Sequence, residues 1–101
     1  MKYKVIVSDT TKTQLASHIS FIANVNKNAA RETKKRLIDA FRSLEEFPER
    51  YPFFNEELIP KNKHHKMFVR NYYLVLYQIK DSTVYIDLVV DCRQDYSWLL
   101  G

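Results

Sequence analysis

The chain has 101 residues, and 46% of them are aliphatic or aromatic, enough for one domain with a modest core that needs no metal or disulfide staple. Lys and Arg number 16 against 12 Asp and Glu, a formal charge of +4 that favours an acidic partner, either nucleic acid or protein. One cysteine excludes an internal disulfide, the only glycine (Gly101) excludes glycine-rich phosphate loops, and no stretch approaches the ~18 apolar residues of a membrane span.

Residues 2–8, KYKVIVS, alternate with period two, which predicts a strand with Tyr3, Val5 and Val7 on the core side. Asp9 or Thr10 can cap the helix that follows, where Leu15, Ile19, Ile22 and Ala23 recur at helical spacing over about 10–25. No secretory signal pattern appears at this end, so a soluble, cytoplasmic protein is expected. Asn24, Asn26 and Asn28 interrupt the pattern, and Asn28 can cap a second helix. In that helix Ala30, Thr33, Leu37, Ala40, Leu44 and Phe47 form one stripe, with Phe41 beside them, and Pro48 ends it. The short link makes the two helices an antiparallel hairpin. Residues 48–63 hold all three prolines and read as an irregular connection.

The remainder is β. HKMFVR (65–70) predicts one strand and Asn71 a turn. YLVLYQI (73–79) predicts a second strand, with Tyr73, Val75, Tyr77 and Ile79 sharing a face. Asp81-Ser82 reads as a hairpin turn into TVYIDLVVD (83–91). There Val84, Ile86, Leu88 and Val90 are expected to point one way, and Tyr85, Asp87, Val89 and Asp91 the other. Residues 94–100 form a short tail that returns Trp98, Leu99 and Leu100 to the body. The order β-α-α-β-β-β gives an α+β fold: a small, mainly antiparallel, twisted sheet covered on one face by the helical hairpin, as a single domain over 1–101.

This order, the segment AARETKKRLIDAFRSLEEFPERYP (29–52), the strand FVRNYYLVLYQI (68–79) and the ending VVDCRQDY (89–96) together resemble the RelE/ParE superfamily. Its members are toxins of bacterial type II toxin–antitoxin modules and are also described as plasmid stabilisation proteins. The resemblance implies a cognate antitoxin whose C-terminal segment wraps and blocks the toxin. It implies one of two targets: ribosome-bound mRNA, cut by RelE-like mRNA interferases, or DNA gyrase, poisoned by ParE-like members without nuclease action. An inactive protein-binding module and a small nucleic-acid-binding regulator are the alternatives, and growth arrest on expression separates them from a toxin.

A metal-independent endoribonuclease needs a proton acceptor, a proton donor and cations beside the phosphate. Arg93 matches the family's arginine after the last strand, where it would stabilise the phosphate; the competing role is pairing with Asp91 or Asp95. Tyr96, His64 and His65 are the proton-transfer candidates, and Lys63, Lys66 and Arg70 the substrate-binding ones. The competing readings are ring packing for Tyr96 and a solvated basic loop for the histidine–lysine run. Leu74 stands where the RelE-like pattern carries a catalytic arginine, and Met67 and Phe68 where it carries a second strand lysine, which favours gyrase or another target. Neighbouring histidines on a strand point to opposite faces, so no metal site is expected, nor any cofactor. Cys92 reads as a small buried apolar residue.

Overall fold

The computed structural model describes residues 2–55, 61–70 and 73–92. The elements are β1 (Lys4–Val7), α1 (Asp9–Ala23), α2 (Lys27–Ser43), β2 (His65–Val69), β3 (Tyr73–Lys80) and β4 (Thr83–Asp91). The strands lie in the order β1-β4-β3-β2. β1 runs parallel to β4, and the other two pairings are antiparallel. The expected α+β order and the mainly antiparallel sheet are both present, with the helical hairpin on one face. Among the described residues, no helix is long and apolar enough to cross a membrane.

Both helix starts lie slightly upstream of the expected caps. Ser8, not Asp9 or Thr10, caps α1: its backbone is still extended as β1 ends, and its hydroxyl accepts the Thr11 N–H at 3.0 Å. Asp9 instead adds its charge to the first turn. For α2 the cap is Asn26, whose side-chain oxygen accepts the Ala29 N–H at 3.0 Å, and Asn28 is helical. The helix also ends earlier than Pro48, at Ser43. A residue before proline is disfavoured in the right-handed helical region, and Phe47 takes φ 51° instead, leaving its ring 76% exposed rather than on the core stripe. The guanidinium of Arg50 turns back to donate to the carbonyls of Ser43, Glu46 and Phe47, which ties the turn after α2 to the helix end.

The core lies between helices and sheet. Leu37, Phe41 and Leu44 of the α2 stripe meet Met67 and Val69, Tyr73, Val75 and Tyr77, and Val84, Ile86 and Val89. Tyr3, Val5 and Val7 pack at its margin, as the alternation of β1 predicts. The far face of the sheet carries a second, smaller cluster of Phe54, Leu74 and Leu76, with Leu88 and Cys92 beside it.

A β-bulge separates the two halves of β4. The β3–β4 register passes from Leu76 opposite Leu88 to Tyr77 opposite Ile86, so Asp87 is the extra residue. One extra residue reverses the side-chain parity. Val84 and Ile86 therefore face the helices, whereas Leu88 and Val90, opposite Leu76 and Leu74, face away. This corrects the expected single face for Val84, Ile86, Leu88 and Val90. It also separates Asp87 from Asp91, because Asp91 pairs with the helix-side Tyr73.

Past the end of β1, side chains of α1 and its cap take over the hydrogen bonding of β4. Thr11 Oγ1 donates to the Ile86 carbonyl at 3.2 Å, Ser8 Oγ to the Asp87 carbonyl at 3.3 Å, and Gln14 Oε1 accepts the Val89 N–H at 3.0 Å. The bulge is thus held from the helix side, with its backbone groups paired rather than orphaned.

Candidate functional site

The face of the sheet turned away from the helices carries two of the candidate residues, His64 and Lys66. Strand pairing puts Lys66 opposite Leu76, Phe68 opposite Leu74, and Gln78 opposite Tyr85 on that face. Leu74 lies at its centre with no exposed surface, packed with Phe54 and Leu76. The position where a nuclease pattern carries arginine is therefore the middle of an apolar cluster.

The histidine pair is split by strand alternation. His64, just before β2, places Nε2 3.0 Å from Asp87 Oδ2, and Gln78 Nε2 donates to the same oxygen. The bulge aims Asp87 at both groups, tying the start of β2 to β3 and β4. A carboxylate only accepts, so Nε2 carries the hydrogen; in neutral imidazole Nδ1 is then the remaining proton acceptor. Lys66, half-buried, shares this face. Asp87 and Gln78 went unnoticed as partners of His64, although an acid in the middle of an otherwise apolar strand was the signal that could have marked Asp87.

His65 is a packed residue, 8% exposed. Its Nδ1 lies 2.7 Å from the Tyr51 carbonyl, and its ring sits between Phe53 at 4.2 Å and Tyr77 at 5.3 Å. With Nδ1 occupied and both ring faces covered, His65 serves first as a packing residue. Lys63 is exposed in the turn before β2, and Arg70 is exposed just after β2 with φ 57°. The structure therefore gathers His64 and Lys66 on the open face, with Lys63 at its approach, and sets Arg70 apart at the other end of β2. Arg93 and Tyr96 lie outside the described residues, as do Asn71 and the tail at 94–100. Cys92 is half-buried, and burial followed by the Asp91 charge pushes its thiol pKa up, against a nucleophilic role.

Beneath His65, Tyr77 is fully buried and its hydroxyl donates to the Pro48 carbonyl at 2.6 Å. Loss of solvation is the main cause that pushes this phenol well above its ordinary value. A phenol raised in the folded state contributes stability that is complete below its unfolded value near ~10 and is lost as pH climbs above it. Tyr77→Phe is expected to cost about 1 kcal/mol at neutral pH by deleting a buried hydrogen bond. It should also flatten the decline in stability above pH ~10. Urea titrations of both proteins from neutral to alkaline pH check this; equally steep alkaline declines would contradict the assignment.

Comparison with known families bears on this arrangement. The model of the ParE toxin of the type II toxin–antitoxin system parDE matches residues 5–96. A solved structure described as the chromosomal ParDE TA system from P. aeruginosa superposes with a TM-score of 0.72, covering 89% of this chain and 96% of that one at 5% identity. At that identity the likeness concerns the fold alone. Comparison with curated proteins gives no match.

Proposed function

We propose a function from one premise: the chain belongs to the ParE toxin family of type II toxin–antitoxin systems. It is the growth-inhibiting component of such a module, acts in the cytoplasm, and is neutralised by a cognate antitoxin. Its target is DNA gyrase, which it poisons without cutting nucleic acid. The observation that carries this choice is Leu74. A leucine with no exposed surface, packed with Phe54 and Leu76, fills the sheet position where the nuclease pattern needs a cation beside the phosphate.

A second reading has one observation in its favour. His64, oriented by Asp87 and sharing a face with Lys66, could take a 2′-hydroxyl proton during ribosome-dependent mRNA cleavage. Arg93 and Tyr96 would then complete the site. The two readings part on one variant. His64→Ala is expected to arrest growth as fully as the parent chain, because gyrase poisoning asks nothing of the imidazole; loss of killing with retained folding would move the reading to cleavage. Parallel labelling with methionine and thymidine after induction tests the choice in cells. DNA synthesis is expected to stop first. Translation stopping first, with transcripts cut at the ribosomal A site, would overturn it. If neither pathway responds, the toxin reading yields to that of a binding module.

A further inference from the structure

Helix α2 carries six of the chain's 16 Lys and Arg residues and only two acids, Glu32 and Asp39. Five of the six, Lys27, Arg31, Lys34, Lys35 and Arg42, recur at steps of three, four and seven residues and so share one stripe of the helix. All five are exposed, and half-buried Ile38 fills the gap between Lys34 and Arg42. Glu32 and Asp39, seven residues apart, form a separate row on the flank. Both lie within helical reach of Lys35. Even so, no ion pair or side-chain hydrogen bond holds any of the five cations among the described residues.

Like charges are neighbours along this stripe. Lys27 stands four residues from Arg31, which stands three from Lys34 and four from Lys35. Such neighbours weaken a helix. Packing compensates: Leu37, Phe41 and Leu44 are buried against the sheet and hold α2 from behind. A row of cations that repel one another on a rigid support is a preformed array for an extended anion. The positive surface also continues off the helix. Arg42 lines a hollow of about 490 Å³ together with Lys4 of β1 and Lys12 of α1, where Glu45 is the one acid among the described residues.

We propose that the stripe binds the phosphate backbone of duplex DNA, so that the chain recognises gyrase with DNA bound in preference to gyrase alone. From Lys27 to Arg42 the helix rises about 22 Å, a length over which duplex DNA presents roughly a dozen phosphate charges. Contacts to the backbone are independent of base sequence. Single strands fit less well, because they are held by exposed aromatic rings and the stripe has none. A protein partner fits less well too, because interface cores are poor in charge and rich in aromatics. A membrane surface would need the apolar side of α2, which is already in the core. The role on gyrase rests on the gyrase reading; phosphate binding by the stripe does not.

The test follows the anisotropy of a short labelled duplex of arbitrary sequence over a range of salt. For the parent, log K against log salt is expected to fall with a slope of about −4 to −5, the counterion release of five phosphate contacts. Arg31→Ala and Lys35→Ala should each make the slope shallower by about 1 and weaken binding alike on any sequence. Lys61→Ala, which removes a positive charge from the turn before β2, should leave it unchanged. Circular dichroism checks that each variant keeps its helices. A parent that binds no duplex, stripe variants with the parent's slope, or an equal change at Lys61 overturns the stripe. Polyglutamate that competes as well as DNA at equal charge would reassign it to an acidic protein. In a gyrase cleavage reaction the double variant Arg31→Ala/Lys35→Ala should need about tenfold more chain than the parent, with binding to DNA-free gyrase kept within about twofold. A double variant that traps gyrase as well as the parent overturns the stripe's role there and leaves the gyrase reading intact. A parent that binds duplex as expected but leaves gyrase undisturbed overturns that reading and keeps the stripe.

Discussion

Leu74→Arg is expected to unfold the chain rather than to convert it into a nuclease. Leu74 has no exposed surface, lies between Phe68 and Val90 in register, and packs with Phe54 and Leu76. Among the described residues the cluster holds no carboxylate to pair with a guanidinium, which must also displace a packed side chain. An unpaired buried charge costs several kcal/mol, and a domain of this size has only about 5–15 kcal/mol in total. Leu74→Ala removes packing without adding a charge and should cost less, about 2–5 kcal/mol. Urea unfolding followed by circular dichroism separates the two: alanine lowers the midpoint, whereas arginine abolishes the cooperative transition. A folded Leu74→Arg protein that cuts ribosome-bound mRNA would show that the site tolerates the cation, and the case for gyrase would lose its main support.

Leu37→Ala should give the next largest loss, about 3 kcal/mol. Leu37 has no exposed surface and belongs to the cluster in which α2 meets β2, β3 and β4. The side chains around it come from three strands and cannot all collapse into the gap, so a cavity term adds to the lost transfer energy. The expected result is a lower denaturation midpoint with an unchanged dependence on denaturant. The neighbouring Arg36→Ala, on the exposed side of α2, should move stability by no more than about 0.5 kcal/mol. Equal losses at both positions would mean that the helix is held by local propensity and not by packing. A loss of this size also bears on toxicity, because a larger unfolded fraction lowers the amount of active chain in a cell.

The elements whose buried face has one period were legible from residues alone. The α2 stripe gave Leu37, Phe41 and Leu44, and the alternation of β3 gave the core side of Tyr73, Val75 and Tyr77. What stayed hidden has local causes. Three asparagines at alternate positions offer the same capping chemistry, and only the backbone decides that Asn26 uses it. The bulge at Asp87 left no mark in the spacing, because the second half of β4 is buried on both faces and Val89 and Val90 suit either one. That single unseen residue moved Leu88 and Val90 to the far face and turned Asp87 towards His64 and Gln78. The histidine pair was legible as basic and adjacent, but not as one accessible and one enclosed ring. Which ring is enclosed depends on Tyr51 and Phe53, in the stretch of chain that read only as irregular.

Gyrase poisoning is tested most directly with purified components: the chain, gyrase and relaxed plasmid DNA, with the reaction stopped by detergent and scored for gyrase–DNA cleavage complexes. Accumulation of linear, protein-linked plasmid in proportion to the chain added, unchanged by His64→Ala, is the predicted result. A gyrase that supercoils undisturbed while the same preparation cuts ribosome-bound mRNA would contradict it and make the His64–Asp87 face the catalytic one.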